Sequence, residues 1–345
     1  MIRHRQWSLG PLVVLTVMVL LAACSDGNAP YNNTITEEGL SADLHYLAGP
    51  AMRGRLVGTP EIADASEWIA DRFESLGLEP AGDGGSYYQD FDLMWFSLGG
   101  PNSLTVSGAG GARQAGNGWT PANFSASASA SGQAVFAGFG IVEPRLGFDD
   151  YGEGDVSGRI VLVLDREPGV ADPDSPFDGV VTAEASRTWR KALSAQERGA
   201  AGILFVRDVQ NRSDIGDWQQ SHANGWPDEP RRIERFTLGA WVGQITIPAA
   251  SISVELAEAL VAGSGQTLME LAEASEAATD GLGVIQLPGS TVRMTVAVER
   301  NITPGRNILA MVEGSDPALR DEVIIIGAHH DHNGADGDVI YPGAD

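Results

Sequence analysis

Apolar and polar positions along this chain follow two rhythms and one plain run, and each marks a different kind of element. Leu40, Leu44 and Leu47 recur at helical spacing and predict a short helix starting near Glu37. From Pro60 to Leu76 the apolar set Ile62, Ala65, Trp68 or Ile69, Phe73 and Leu76 lines one helical face. Thr59 stands there as N-cap, Pro60 takes the first helical position and Gly77 supplies the stop. Ser86 to Phe91 reads as the start of a strand. Ala134 to Gly140 and Gly158 to Leu164 predict strands, the second apolar throughout and so buried. Ser186 to Arg198 predicts a helix with Trp189, Ala192 and Leu193 on one side, leading to a strand Ile203–Val206. Strand, helix, strand is a small α/β unit. Ile245 to Ile252 predicts an edge or broken strand, because Pro248 has no amide to donate, and a helix follows from Ser253 to Ala262. Val292, Met294, Val296 and Val298 alternate with Arg293, Thr295 and Ala297, the period of a half-buried strand. Asn307 to Val312 predicts another. Val323 to Ile326 is apolar at every position and β-branched, which predicts a central strand of a covered sheet. Residues 98–132 are rich in Gly, Ala and Ser, and the run Phe124–Ser131 predicts a loop or an edge strand.

Composition narrows the partners. A formal net charge of -24 would repel nucleic-acid phosphates and anionic lipid headgroups, so no nucleic-acid partner is expected. The chain of 345 residues is long enough for two domains. It has one cysteine, Cys24, which excludes an internal disulfide, and one lysine, Lys191.

The first residues read as an export signal. Arg3, His4 and Arg5 precede an apolar stretch, Leu12 to Leu21, too short for the roughly 20 residues a membrane span needs. Leu21-Ala22-Ala23-Cys24 then resembles a bacterial lipobox, which implies that Cys24 is lipidated and becomes the mature N-terminus. Residues 1–23 are thus the expected lipoprotein signal peptide and 24–36 a polar tether. Ser25 in place of Asp implies an exported, lipid-anchored protein at the outer membrane or cell surface of a bacterium.

Chemistry concentrates after the last apolar run, in Gly327-Ala328-His329-His330-Asp331-His332-Asn333-Gly334. Imidazole is a common zinc ligand, and a ligating His commonly donates its second N–H to a carboxylate. In an extended chain His329 and Asp331 share one side and His330 faces the other, so Asp331 is placed to serve His329 or its neighbour. A solvated His loop would carry the same residues. His45 and His222 lie outside this cluster and read as non-ligands.

From Asn307 onward the chain resembles metallopeptidase family 28, the aminopeptidase-type zinc exopeptidases. The stretches that carry the resemblance are Asn307-Ile308-Leu309-Ala310, Gly314-Ser315-Asp316-Pro317, Asp321 to His332, and Ile340-Tyr341-Pro342-Gly343-Ala344-Asp345. His330 departs from the tyrosine more usual there. Gly54-Arg55, Gly58-Thr59, Gly77-Leu78 and Ser86–Phe91 match the family's usual opening. Tyr151, Asp155–Val163, Gly199–Phe205 and Ile247-Pro248 resemble a protease-associated domain.

The resemblance implies an α/β fold: an incomplete mixed-sheet zinc exopeptidase domain with an inserted α/β protease-associated domain. The expected boundaries are 37–98 for the first part of the peptidase domain, 99–290 for the protease-associated domain with its flanking loops, and 291–345 for the first sheet strands and the first metal motif. It implies hydrolysis of N-terminal peptide bonds in peptide substrates by a water activated between two zinc ions. His329 would be a metal ligand and Asp331 the group that orients it. No nucleophile or general base is expected within the chain. Asp345 matches the first Asp of the family's Gly-Ala-Asp-Asp-Asn motif, so the bridging Asp and later ligands are expected beyond it, and the fragment is expected to be inactive. Two other readings remain: a glutaminyl cyclase-like acyltransferase, and a receptor-like homologue without catalysis.

Overall fold

The computed structural model describes residues 35–229 and 231–344. The signal peptide, most of the tether, Cys24 and Asp345 lie outside the described residues. The chain divides into two compact units, Met1–Trp68 with Ile324–Asp345, and Ile69–Val323. The division falls inside the helix Pro60–Ser75.

The larger unit is mixed α/β, built on an eight-stranded mixed sheet. Its strands run in the order Arg113–Gln114, Ser103–Val106, Ile285–Val296, Ala128–Phe136, Ile160–Leu164, Gly202–Val206, Ala249–Ile252, Trp119–Pro121. The four from Ala128–Phe136 to Ala249–Ile252 are parallel, and the outer ones pair antiparallel. Parallel strands need crossovers, and the helix Thr188–Glu197 supplies the one from Ile160–Leu164 to Gly202–Val206. Both of these strands are buried at every position, as a covered parallel sheet requires. Val254–Val261 starts on Ser253, whose hydroxyl accepts from the Leu256 amide at 3.3 Å. Leu268–Ala277 starts on a capping box of Thr267 and Glu270.

A second, three-stranded sheet belongs to the same unit. Tyr88–Leu98 pairs antiparallel along its length with Val298–Ile308, and Thr237–Leu238 joins its other side. The predicted strand from Asn307 is the end of this ribbon, followed by Ala310–Met311 against Glu79–Pro80. The strand Ile285–Val296 crosses residue 290, with a register shift between Gln286 and Thr291.

One expectation fails and two are refined. The Ser/Ala run ends in the strand Ala128–Phe136, which is interior in the sheet's order, while residues 128–131 themselves pair on one side only, with Ile285–Val296. Small side chains allow this: a Cβ on Gly132 would lie 2.6 Å from the Gly158 carbonyl oxygen. The serine hydroxyls also find partners, since Ser127 accepts from the Val298 amide at 2.9 Å and Ser129 meets Thr295 at 2.9 Å. The run Ile245–Ile252 is broken at Pro248, as expected, and its remainder Ala249–Ile252 is interior and not an edge; Pro248 falls just before that strand and contributes only its carbonyl, which accepts from the Ile203 amide at 3.1 Å. Val323–Ile326 forms no strand, and its side chains are 80–95% exposed. No described strand pairs with it, and a β-branched run gains strand geometry only from a neighbour's hydrogen-bond ladder.

In the smaller unit the helix Glu37–Leu47 forms with Thr36 accepting from the Gly39 amide at 3.0 Å. Leu40 and Leu44, its apolar stripe, are exposed. Tyr46 stacks on Trp68 with ring centroids 4.9 Å apart. Among the described residues no helix is long and apolar enough to cross a membrane.

Candidate functional site

The motif residues lie in the smaller unit, on an irregular segment rather than at the end of a strand. The sequence Arg53-Gly54-Arg55 turns with three successive positive φ values, 43°, 71° and 45°. Left-handed backbone at two arginines persists only where surrounding contacts hold it. Here the Arg55 carbonyl accepts from the His332 amide at 3.0 Å, and the Gly54 carbonyl from the Gly334 amide at 2.9 Å. Gly334 in turn accepts from the Tyr341 amide at 3.0 Å, beside a short hairpin of Ala335–Asp336 and Val339–Ile340. Residue 54 must be glycine, since a Cβ there would fall on the carbonyl oxygens of Gly334 and Tyr341.

The side chain of Arg55 is buried, 5% exposed. Its Nε donates to the His330 carbonyl at 2.7 Å. Nη1 donates to Pro342 at 3.1 Å and also to Leu47, and Nη2 donates to Gly343 at 3.1 Å. Burial lowers the guanidinium's pKa, partly offset by the charge of Asp331.

The three neighbouring histidines diverge. His329 is exposed, and its Nδ1 lies 2.9 Å from the Asp331 carbonyl oxygen and 3.3 Å from Asp331 Oδ1. Its Nε2 has no protein partner among the described residues. His330 turns the other way, and its Nε2 meets the hydroxyl of Ser66 at 3.0 Å. That hydroxyl donates to the Ile62 carbonyl, so Ser66 accepts from the imidazole. Burial pushes the His330 imidazole below its ordinary range, and Asp331 opposes the shift. The ring of His332 packs where a Cβ on Gly343 would intrude, so it faces the Pro342-Gly343 segment. Arg55 and Ser66 were not legible as site residues. The first appeared only within a matching Gly-Arg pair, and the second sits on a helix face with no motif around it.

His45 bonds the Ser41 carbonyl of its own helix at 2.7 Å, and His222 bonds Thr120 at 2.8 Å. Both rings are occupied locally.

Among the described residues no group of three His, Cys, Asp or Glu side chains could hold a metal ion. A catalytic zinc takes about three protein ligands. His329 with Asp331 supplies one imidazole and its orienting carboxylate, so the described residues do not by themselves fit a catalytic zinc.

No family model matches the chain, and no curated protein does. Among solved structures it is similar to an aminopeptidase from Aneurinibacillus sp. strain AM-1, at 17% identity and a TM-score of 0.38, over 90% of this chain and 55% of that one. It is similar to the zinc aminopeptidase BSAP from Bacillus subtilis at 14% identity and 0.26, over 80% and 46%. A psychrophilic subtilisin-like protease, Apa1 from Pseudoalteromonas sp. AS-11, matches at 14% and 0.26, over 60% and 35%. The chain spans about half the length of the two aminopeptidases.

Proposed function

We propose that this chain belongs to an exported zinc-dependent aminopeptidase, with residues 99–290 as its protease-associated domain. The observation that carries the reading is the His329–Asp331 pair: a carboxylate and a carbonyl face Nδ1, while Nε2 is left toward solvent. A carboxylate on the far nitrogen fixes tautomer and ring orientation in ligating histidines. The sequence around the pair supports the same reading, from Asn307-Ile308-Leu309-Ala310 to Pro342-Gly343-Ala344-Asp345.

Zinc, when bound, would supply Lewis acidity and a more acidic water. This chain's described residues contribute a single candidate ligand, His329. Their part is to present Nε2 of His329 and to hold its ring. Peptide substrates, and a membrane anchor through Cys24, belong to the same proposal.

The test is cleavage of aminoacyl-p-nitroanilide substrates by the protein expressed from its complete gene. Activity should be lost on chelation and return with zinc. His329→Ala should lower activity by orders of magnitude with the fold intact, and chelator-resistant cleavage would refute the reading. A second reading is a non-catalytic homologue. It predicts no cleavage at any metal concentration. For the anchor, Cys24→Ser should abolish incorporation of radiolabelled palmitate; retained label would exclude lipidation at this site.

A further inference from the structure

We infer that Arg55, seconded by Ser66, is the positioning residue of the His329–Asp331 motif; this rests on the proposed role of His329. Two stretches close together in sequence carry the motif residues, 329–332 and 341–343, and both lie far along the chain from Arg55. One guanidinium joins them, with Nε on the carbonyl of His330 and Nη1 and Nη2 on those of Pro342 and Gly343. The remaining bond, to Leu47, ties the knot to the end of the helix Glu37–Leu47.

The chemistry selects arginine. Four carbonyls arranged around one buried side chain need donors in a fixed planar fork, which guanidinium has and ammonium lacks. The backbone of the same residue holds the other side of the motif, through the His332 amide. His330 is thus gripped at its carbonyl by Arg55 and at its ring by Ser66. Along 329–333 exposed and half-buried residues alternate, with His329, Asp331 and Asn333 exposed and His330 and His332 half-buried, as successive side chains do where the backbone is locally extended. Fixing His330 inward therefore sets His329 outward, with Asp331 beside its Nδ1. The residue that departs from the family's usual tyrosine is then an anchor, using a polar partner, Ser66, that is itself buried.

The experiment compares the unaltered metal-free chain with Arg55→Lys and Ser66→Ala. It reads the ¹⁵N resonances of the histidine rings and amide exchange at His332, Gly334, Leu162 and Leu204. Arg55→Lys keeps the charge and loses the fork. It should move the His329 ring resonances toward those of a free histidine. Exchange at His332 and Gly334 should rise at least about tenfold, with Leu162 and Leu204 unchanged. Ser66→Ala should shift the His330 ring and leave the helix intact. Unchanged His329 resonances in Arg55→Lys overturn the inference. So does equal acceleration at all four amides, which would mark general destabilisation. Should Arg55→Lys fail to fold, Ser66→Ala decides: a His330 ring unmoved there overturns the anchoring that the inference requires. Cobalt(II) added to the protein expressed from its complete gene separates the two ideas. If it never perturbs His329 while the variants behave as expected, the zinc reading falls and the positioning stands.

Discussion

Lys191 offers the most direct test of the larger unit's energetics, because the only lysine of the chain is wholly buried. It leaves the helix Thr188–Glu197 and donates from Nζ to the Leu164 carbonyl at 3.0 Å and to that of Arg166. The Phe139 ring lies 5.8 Å away. Burial brings its pKa down from 10.5 to about 8, against the opposing charges of Asp165, Asp150, Glu167 and Asp208. Asp165 is itself shared with Arg212 at 2.6 Å. In the window from about 8 to 10.5 the unfolded chain holds a proton that the folded chain has released, so stability rises with pH there. The rise is worth about 3 kcal/mol.

Lys191→Met keeps the length and removes both the charge and the donors. Near pH 7 two effects oppose each other. Two carbonyls lose a donor, at about 1–3 kcal/mol each, while the cost of burying an ammonium, about 3 kcal/mol by the same pKa shift, disappears. The net loss near neutrality is therefore small, at most about 3 kcal/mol. By pH 10.5 the parent has gained and the variant has not, so the gap between them should widen by about 3 kcal/mol. Urea unfolding followed by tryptophan fluorescence, at several pH values for both proteins, reads this gap, and other titrations cancel in the difference. A gap that stays constant from pH 7 to 10.5 would refute the argument. Amine acylation gives an independent check. The lysine should resist reagent in the folded protein and react once unfolded, and quick labelling of the native chain would show that it is not buried.

Other consequences follow from particular residues. Asp150 is fully buried and accepts from the Ile141 and Leu282 amides at 3.0 and 3.1 Å. Burial raises its carboxyl to about 6. Between about 4 and 6 the folded chain keeps a proton the unfolded chain has lost, so stability falls as pH rises, by about 3 kcal/mol. Asp150→Asn should flatten urea midpoints across that range, and an undiminished slope would assign it to other groups. Gly54→Ala places a Cβ against two carbonyls at φ 71° and should cost about 1–3 kcal/mol locally; amide exchange at Gly334 should accelerate, and a protected Gly334 would show that the turn absorbs the methyl. Ile324→Thr with Ile326→Thr should lower binding of an apolar fluorescent dye while changing stability by less than about 0.5 kcal/mol. Dye binding equal to the parent's would mean that the run is covered in solution.

What was legible in the sequence was local, and what was not depended on partners. The helices at Pro60, Thr188 and Val254 declare themselves through spacing, and the last has a serine just before it as cap, signals the chain carries within a few residues. The strand Ile160–Leu164 declares itself by being apolar on both faces. Val323–Ile326 carries the same signal and stays exposed, so the signal records a demand for neighbours and not their presence. The Ser/Ala run shows the converse. Its composition leaves a loop and an edge strand open, yet the hydroxyls of Ser127 and Ser129 bond to Val298 and Thr295 and the bare Gly132 admits the Gly158 carbonyl.

The same distinction separates the two halves of the candidate site. His329 and Asp331 stand two residues apart, so their contact lies within the reach of local reasoning. Arg55 acts on carbonyls 275 to 288 residues away, and no spacing rule connects them. Carbonyl oxygens have no residue identity, so a cradle made of them leaves no trace in the composition of its partners. Only the donor is visible in the sequence, as a single arginine beside a glycine. A buried guanidinium whose bonds all go to backbone holds chain and not side chains. It should therefore tolerate exchange of Pro342 for a residue that keeps the same path, and should not tolerate its own exchange for lysine. That contrast makes the Arg55→Lys comparison informative whatever chemistry His329 proves to perform.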